Sequence, residues 1–100
     1  MSQFSVSQPL FDACVQDRRA LHRLPENGFE EFKTQAYILN VLKSLPGWQV
    51  DAPFKTSVKA VWIVADTPSC VAFRADMDGL AMPENTGLPF SSTHDGMMHA

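Results

Sequence analysis

Basic charge is thin in this chain: eight lysines and arginines stand against eleven aspartates and glutamates, for a formal net charge of -3. Arg18, Arg19 and Arg23 form one small group, while Lys33, Lys43, Lys55, Lys59 and Arg74 lie apart. No stripe resembles a footprint for a phosphate backbone, so no nucleic-acid partner is expected. Long apolar runs are missing as well. No window approaches the ~20 residues of a membrane span, and the opening "MSQFSVSQPL" has neither the basic start nor the apolar core of an export signal. That excludes a membrane partner and makes a cytoplasmic location the expectation. Cysteine is limited to Cys14 and Cys70, each set among apolar residues, which in a reducing compartment reads as two buried free thiols rather than a disulfide. A glycine-rich phosphate cradle, a serine nucleophile elbow, a Cys-x-x-Cys pair, internal repeats and low-complexity segments are all lacking. Serine and cysteine catalysis therefore have no support.

What is present is the composition of a folding chain. Hydrophobic residues make up 45% and charged residues 19% of the 100 positions, far from a disordered profile, and a chain of this length can bury roughly two-thirds of its surface. Ser7 followed by Pro9 signals a helix start, and Leu10, Cys14, Leu21 and Leu24 recur along one face until Pro25 stops the helix. "PENGF" is a turn. Asn27, with Glu30 three residues on, predicts a capping box for a second helix. Its apolar positions Phe32, Ala36, Leu39 and Leu42, with Ile38 and Leu45 alongside, keep helical spacing up to Pro46 and Gly47. Beyond Gly47 the texture changes to strands: "WQVDA", Val58 to Ala65, and Cys70 to Ala75. "DTPS" has hairpin chemistry and predicts that the last two are antiparallel neighbours. From Met77 to Ala100 no period persists, although Leu80, Met82, Leu88, Phe90, Met97 and Met98 need cover. A further element, or self-association, is expected to supply it.

The chemistry concentrates where the third apolar run ends, in "CVAFRADMDGLAMPENTG". A strand continued through Asp76 and Asp78 puts Arg74, Asp76 and Asp78 on one face, with successive α-carbons about 6.5 to 7 Å apart. Two such groups beside an apolar sheet repel each other and lose hydration, so each requires a cation, a donor or a proton. Arg74 serves one of them in this reading, and a metal serves both. The carboxyl ends of strands in open α/β sheets are where ligands collect. The bland alternative is that Asp78-Gly79 is a turn with Asp76 capping nearby amides. His22, near a helix C-terminus, reads as a hydrogen-bonded structural residue, and Arg18, Arg19 and Arg23 as a solvated or salt-bridged face. Glu30 and Glu31 belong to the start of the second helix. His94 and His99, with Asp95 between them, are a weak metal hint and individually read as structural.

Four motifs in order carry a resemblance: "RRALHRLPENGFEE" (18–31), "FRADMDGL" (73–80), "ENTGLPFSS" (84–92) and "GMMHA" (96–100). Together they resemble the dimetal amidohydrolases: the hippurate hydrolases, N-acyl-amino-acid deacylases and indole-acetyl-amino-acid hydrolases of the aminoacylase and carboxypeptidase superfamily. The resemblance runs from about Arg18 to Ala100. It implies an α/β fold class in which two N-terminal helices are followed by strands of a mixed sheet. Residues 1–100 would be the N-terminal segment, an incomplete portion, of a zinc-peptidase-like catalytic domain whose remainder and lid domain are not in this sequence. It also implies two divalent metal ions, zinc or manganese, that activate a water and polarise an amide carbonyl while a glutamate moves the proton. The substrate would be a small N-acyl amino acid.

The resemblance places few site residues here. In the family "HA" is followed by Cys-Gly-His-Asp, which brings the first metal ligands, and this chain stops at Ala100; no metal ligand is expected among its residues. Asp78 matches an aspartate that orients a ligand in related branches, and Asp76 matches a place where those branches have a metal-binding histidine. His99 would lie beside the metal loop. "DGLA" replaces the common Asp-Ala-Leu-Pro, and Thr56-Ser57 the common Thr-Gly. On this reading the 100 residues alone are inactive. Two alternatives compete: a non-catalytic remnant or interaction fragment, and a haloacid-dehalogenase-like phosphatase using Asp76 and Asp78. The phosphatases usually have Thr or Val after the glycine, where this chain has Leu80, and carry the motif near their N-terminus.

Overall fold

The computed structural model describes residues 5–100. Helix α1 spans Gln8–His22 and helix α2 Phe32–Lys43; strand β1 is Trp48–Asp51 and strand β2 Lys59–Trp62. Two helices followed by strands is the order read from the sequence. Ser7 caps α1 with its hydroxyl accepting from the Leu10 amide at 3.4 Å, and Pro9 sits in the first turn, where its missing N–H costs nothing. Arg19 and His22 occupy the last turn, where cations favour the helix C-terminus. Tyr37 of α2 donates to Asp17 of α1 at 2.7 Å and ties the two helices together.

The start of α2 differs from the expected capping box. Glu31, not Asn27, is the N-cap, and its side chain makes no capping bond. Glu26 does the capping instead: its Oε1 accepts from the Thr34 amide and hydroxyl, both at 2.7 Å, and its Oε2 from the Lys33 amide at 3.1 Å. A full carboxylate placed on several free amides at the positive end of a helix outcompetes the amide of Asn27. Burial pushes Glu26 upward, but the Thr34 hydroxyl and the two amides outweigh it and hold its carboxyl below the usual range.

The two strands pair antiparallel, with Trp48 opposite Trp62, Gln49 opposite Val61, Val50 opposite Ala60 and Asp51 opposite Lys59. The tryptophan rings lie 5.6 Å apart, the kind of cross-strand aromatic pair that fixes register. Gln35 of α2 holds the connecting loop through the carbonyls of Lys55 (3.1 Å) and Ser57 (3.0 Å). Thr56 donates to Glu31 at 2.9 Å inside the structure. The loop is thus pinned so that β2 returns against β1.

The third strand and its hairpin are corrected by the structure. Cys70 to Ala75 is not a strand and has no backbone hydrogen bond among the described residues. The "DTPS" turn closes too tightly: Thr67 donates to the Ala65 carbonyl at 3.1 Å and its hydroxyl to Ser69 at 3.3 Å, so residues 65 and 70 are not brought into facing register. The thiols are a second correction. Cys14 and Cys70 are free, as expected, but both are exposed, because α1 and the 70–75 segment have little packed over them. Met97 is the one large apolar side chain in the buried class among the described residues, at 7% exposure. The radius of gyration is 15.9 Å, against about 13 Å for a tightly packed chain of this length.

The last quarter is ordered by backbone pairing rather than by secondary structure. Leu80 and Met98 exchange hydrogen bonds, at 2.7 Å from the Leu80 amide and 3.0 Å from the Met98 amide, and the Gly79 amide donates to the Glu26 carbonyl at 2.8 Å. Thr93 donates to the Arg23 carbonyl from both its amide (3.1 Å) and its hydroxyl (2.8 Å). A Cβ on Gly79 would lie 2.7 Å from the Pro25 Cβ, 3.2 Å from the Pro25 Cα and 3.3 Å from the Met98 carbonyl. Gly79→Ala should therefore destabilise the chain by about 1–3 kcal/mol, read as a lower urea midpoint, whereas Gly87→Ala, which meets nothing within 4 Å but has a left-handed φ of 66°, should cost about 1 kcal/mol.

Candidate functional site

The convergence of residues 22–34 with 76–99 brings the polar motifs together. His22 is buried at the end of α1, and its Nε2 lies 3.1 and 3.0 Å from the two Glu84 oxygens. Glu84 also accepts from the Ser92 amide at 2.7 Å and from the Thr86 hydroxyl. These donors, Thr86 first, then Ser92 and His22, hold the Glu84 carboxyl down to about 2. Phe90 packs edge-on to His22 with centroids 5.8 Å apart, and Arg18 and Arg19 stack over its ring at 5.6 and 4.7 Å. Arg18, Arg19 and Arg23 are all exposed, as the solvated-face reading expected, and two of them also contact Phe90.

Glu84 was assigned no role in the sequence reading, yet a signal for it exists. Pro-Glu-Asn occurs twice, at 25–27 and at 83–85. In both copies the glutamate folds forward onto the amide eight residues later, Thr34 in one and Ser92 in the other, at 2.7 Å. A glutamate after proline, followed by a turn and hydroxyl residues, is the pattern of a carboxylate that organises a loop by accepting its amides.

Asp76 and Asp78 are both exposed. Arg74 pairs with Asp76 at 2.8 Å, as one of the sequence alternatives required, but both side chains are largely in solvent, so the pair adds little stability. The two aspartates share a cleft of about 360 Å3 with Phe29, Phe54, Thr56 and Arg74. Asp76 also lines a larger cleft of about 750 Å3, together with Cys14, His22, Phe73, His99 and Ala100. Asp76 therefore shares a cleft with the final residues of the chain, and Ala75, Asp76 and Met77 border both openings.

His99 is half-buried, and its Nε2 is covered and meets no hydrogen-bond partner among the described residues. Burial, then the charge of His22, lowers its pKa; the charge and backbone of Asp78 pull the other way without overcoming them. His99 thus presents a neutral imidazole. His94 is separate, with its Nδ1 3.2 Å from the Pro25 carbonyl. Among the described residues no group of three or more His, Cys, Asp or Glu is arranged to hold a metal ion. The described residues do not by themselves fit a metal centre, and Asp76, Asp78 and His99 supply walls and one nitrogen without a partner among them. No helix among the described residues is long and apolar enough to cross a membrane.

No family model matches the chain. Individual proteins do. Over 84 residues, 83% of this chain, it is 51% identical to the N-acetyldiaminopimelate deacetylase of Halalkalibacterium halodurans, covering 23% of that protein. The enzyme of the same name from Bacillus subtilis is 48% identical over 84 residues, of which 22% of its length is covered. Among solved structures, the Bacillus subtilis YXEP protein, a dinuclear metal binding peptidase from the M20 family, superposes with a TM-score of 0.83 at 34% identity. That match covers 94% of this chain and 26% of the other. The chain thus spans about a quarter of the length of the proteins it matches.

The His22–Glu84 cluster has a measurable signature. Because Glu84 falls from 4.5 to about 2 on folding, its contribution is fully present above the unfolded value and is lost as pH drops from about 4.5 towards 2. Urea unfolding across that interval should show a declining midpoint, and Glu84→Gln should flatten the decline while lowering the midpoint at neutral pH. An unchanged slope in the variant would assign acid sensitivity to other groups.

Proposed function

We propose that this chain, which belongs to the M20 family of dinuclear metal peptidases and deacetylases and corresponds to its N-terminal part, forms one wall of the catalytic domain of an amidohydrolase. The reaction is metal-dependent hydrolysis of the amide bond of an N-acyl amino acid, releasing a carboxylic acid and an amine. The identity of about half the matched residues to N-acetyldiaminopimelate deacetylases carries this reading. Small N-acyl amino acids of that kind are the proposed substrates, and the cytoplasm the proposed location. Two divalent metals, zinc or manganese, would polarise the amide and activate water, held by donors other than the residues of this chain.

The part assigned to this chain is positional. Asp78 orients a ligand of the metal centre by hydrogen bonding, Asp76 borders the opening that leads to it, and His99 keeps a neutral ring at the edge of the site. The covered Nε2 of His99, its proximity to Asp78 and the cleft it shares with Asp76 support this grouping. The phosphatase reading is not supported: Leu80 stands where those enzymes usually have Thr or Val, and two helices and two strands precede the motif. A non-catalytic interaction role keeps one observation in its favour, the large apolar side chains left open between β2 and Asp76.

Two assays test the proposal. The purified chain, supplied with zinc or manganese, should show no hydrolysis of N-acetyldiaminopimelate or hippurate; turnover would show that the 100 residues suffice. In a chimera, these residues replace the matching segment of the Bacillus subtilis deacetylase, and deacetylation should survive. There Asp78→Asn should lower kcat about 10–100-fold, with KM nearly unchanged. A chimera that folds and binds metal but is inactive would overturn the assignment, and an Asp78→Asn chimera with full activity would remove Asp78 from the site.

A further inference from the structure

Among the described residues only two other than glycine take a left-handed backbone, Phe29 at φ 64° and Lys55 at φ 46°. A residue with a Cβ is disfavoured there, a bulky one most of all, so the conformation persists only where its surroundings over-determine it. The two residues belong to different loops and meet. The Phe29 ring stands edge-on to Phe54 with centroids 6.3 Å apart, and the Lys55 ammonium lies 4.4 Å from the Phe29 centroid and 5.4 Å from that of Phe54. Hydrogen bonds fix both flanks. Gln35 holds the Lys55 and Ser57 carbonyls, the Phe54 amide donates to the Ser57 hydroxyl at 3.0 Å, the Ser57 amide donates to the Phe54 carbonyl at 2.8 Å, and the buried Thr56 donates to Glu31. On the other flank the Asn27 carbonyl accepts from Glu30 at 2.9 Å, and that of Glu26 from Gly79 at 2.8 Å.

We propose that Phe29, kept left-handed by Phe54 and Lys55, is a positioning residue for Asp78, a role that rests on the part of Asp78 in the amidohydrolase reaction. Position 28 is the link. A Cβ built on Gly28 would lie 3.7 Å from Asp78 Oδ2, so the carboxylate rests against the backbone just before Phe29. On the far side of Phe29 the chain is anchored, by Glu31 to Thr56 and by Glu26 to the first turn of α2. The φ of Phe29 therefore sets where Gly28 lies relative to α2. A right-handed φ would swing Gly28 off the Asp78 carboxylate and leave that side chain a choice of positions. Phe29, Phe54 and Thr56 also line the cleft that holds Asp76 and Asp78, so the disfavoured backbone borders the candidate site itself. Strain opposed by hydrogen bonds on both flanks is the kind of support that holds a site in one geometry.

Paired substitutions separate backbone from ring. Phe29→Ala and Phe29→Gly both remove the ring, and only glycine takes the left-handed φ without cost. In the purified chain Phe29→Gly should keep the higher urea midpoint of the two, by about 0.5 M, the reverse of the order at a right-handed position. The 13C carboxyl resonance of Asp78 should shift in Phe29→Ala and in Phe54→Ala, return towards its place in Phe29→Gly, and stay put in Phe11→Ala on the open face of α1. In the chimera with the Bacillus subtilis deacetylase, Phe29→Ala should lower kcat about tenfold with KM nearly unchanged, and Phe29→Gly should recover most of the loss. Alanine more stable than glycine at position 29, an Asp78 resonance indifferent to Phe29 and Phe54, or equal kcat for the two variants would each overturn the proposal. A parent chimera that folds, binds metal and is inactive would overturn the amidohydrolase reading instead, and the midpoints and the resonance would still decide whether Phe29 positions Asp78.

Discussion

The ring of Pro25 lies where a side chain at position 79 would have to be, and only glycine lets the two backbones meet there. Once they meet, the Gly79 amide reaches the Glu26 carbonyl and Leu80 falls into register with Met98. Three segments distant in sequence are joined by backbone bonds at one point, with Met97 buried beside it. The arrangement of the candidate site follows from this contact. It brings the stretch bearing Asp76 and Asp78 near the stretch bearing His99, and it sets the end of α1 beneath the loop that carries Glu84. Removing the close approach would leave each motif intact in its own segment and separate it from the others.

Around that point the structure is held by carboxylates more than by apolar packing. Glu26 with Thr34, Glu31 with Thr56, and Glu84 with His22, Thr86 and Ser92 are each supplied with donors. A buried carboxylate is costly when any of its donors is lost and adds modestly when all are in place. Such clusters favour one geometry over its neighbours. The apolar segments lie mostly at the periphery, on α1 and between β2 and Asp76, where they remain open to other surfaces.

Local patterns were legible in the sequence and distant pairings were not. Ser7 and Pro9 marked the start of α1, and Pro46-Gly47 the end of α2, because capping and chain-breaking act within a few residues. The branched and aromatic run after Gly47 marked β1 and β2. The capping of α2 by Glu26 escaped because the competing Asn27–Glu30 pattern was equally local and only the folded turn decides between them. Cys70 to Ala75 had strand composition, but composition does not say whether a partner edge is available, and the tight turn at Thr67 denied it one. His22 was legible as hydrogen-bonded, whereas its partner Glu84 lies far along the chain. The repeated Pro-Glu-Asn was the one visible sign of the loop-organising glutamates. The four-motif resemblance was legible because residue order carries it, and the pairing of Arg74 with Asp76 was legible from their spacing.

The bare stretch from Ile63 to Asp76 has one more implication. It is a covalent connection between segments that also meet elsewhere, through Arg23 with Thr93, Glu26 with Gly79 and His22 with Glu84. A protease would meet this connection first, since no ladder or packing protects its peptide bonds. A cut there would leave the contacts between residues 22–26 and 79–93 in place, so the two peptides should stay associated as a nicked whole.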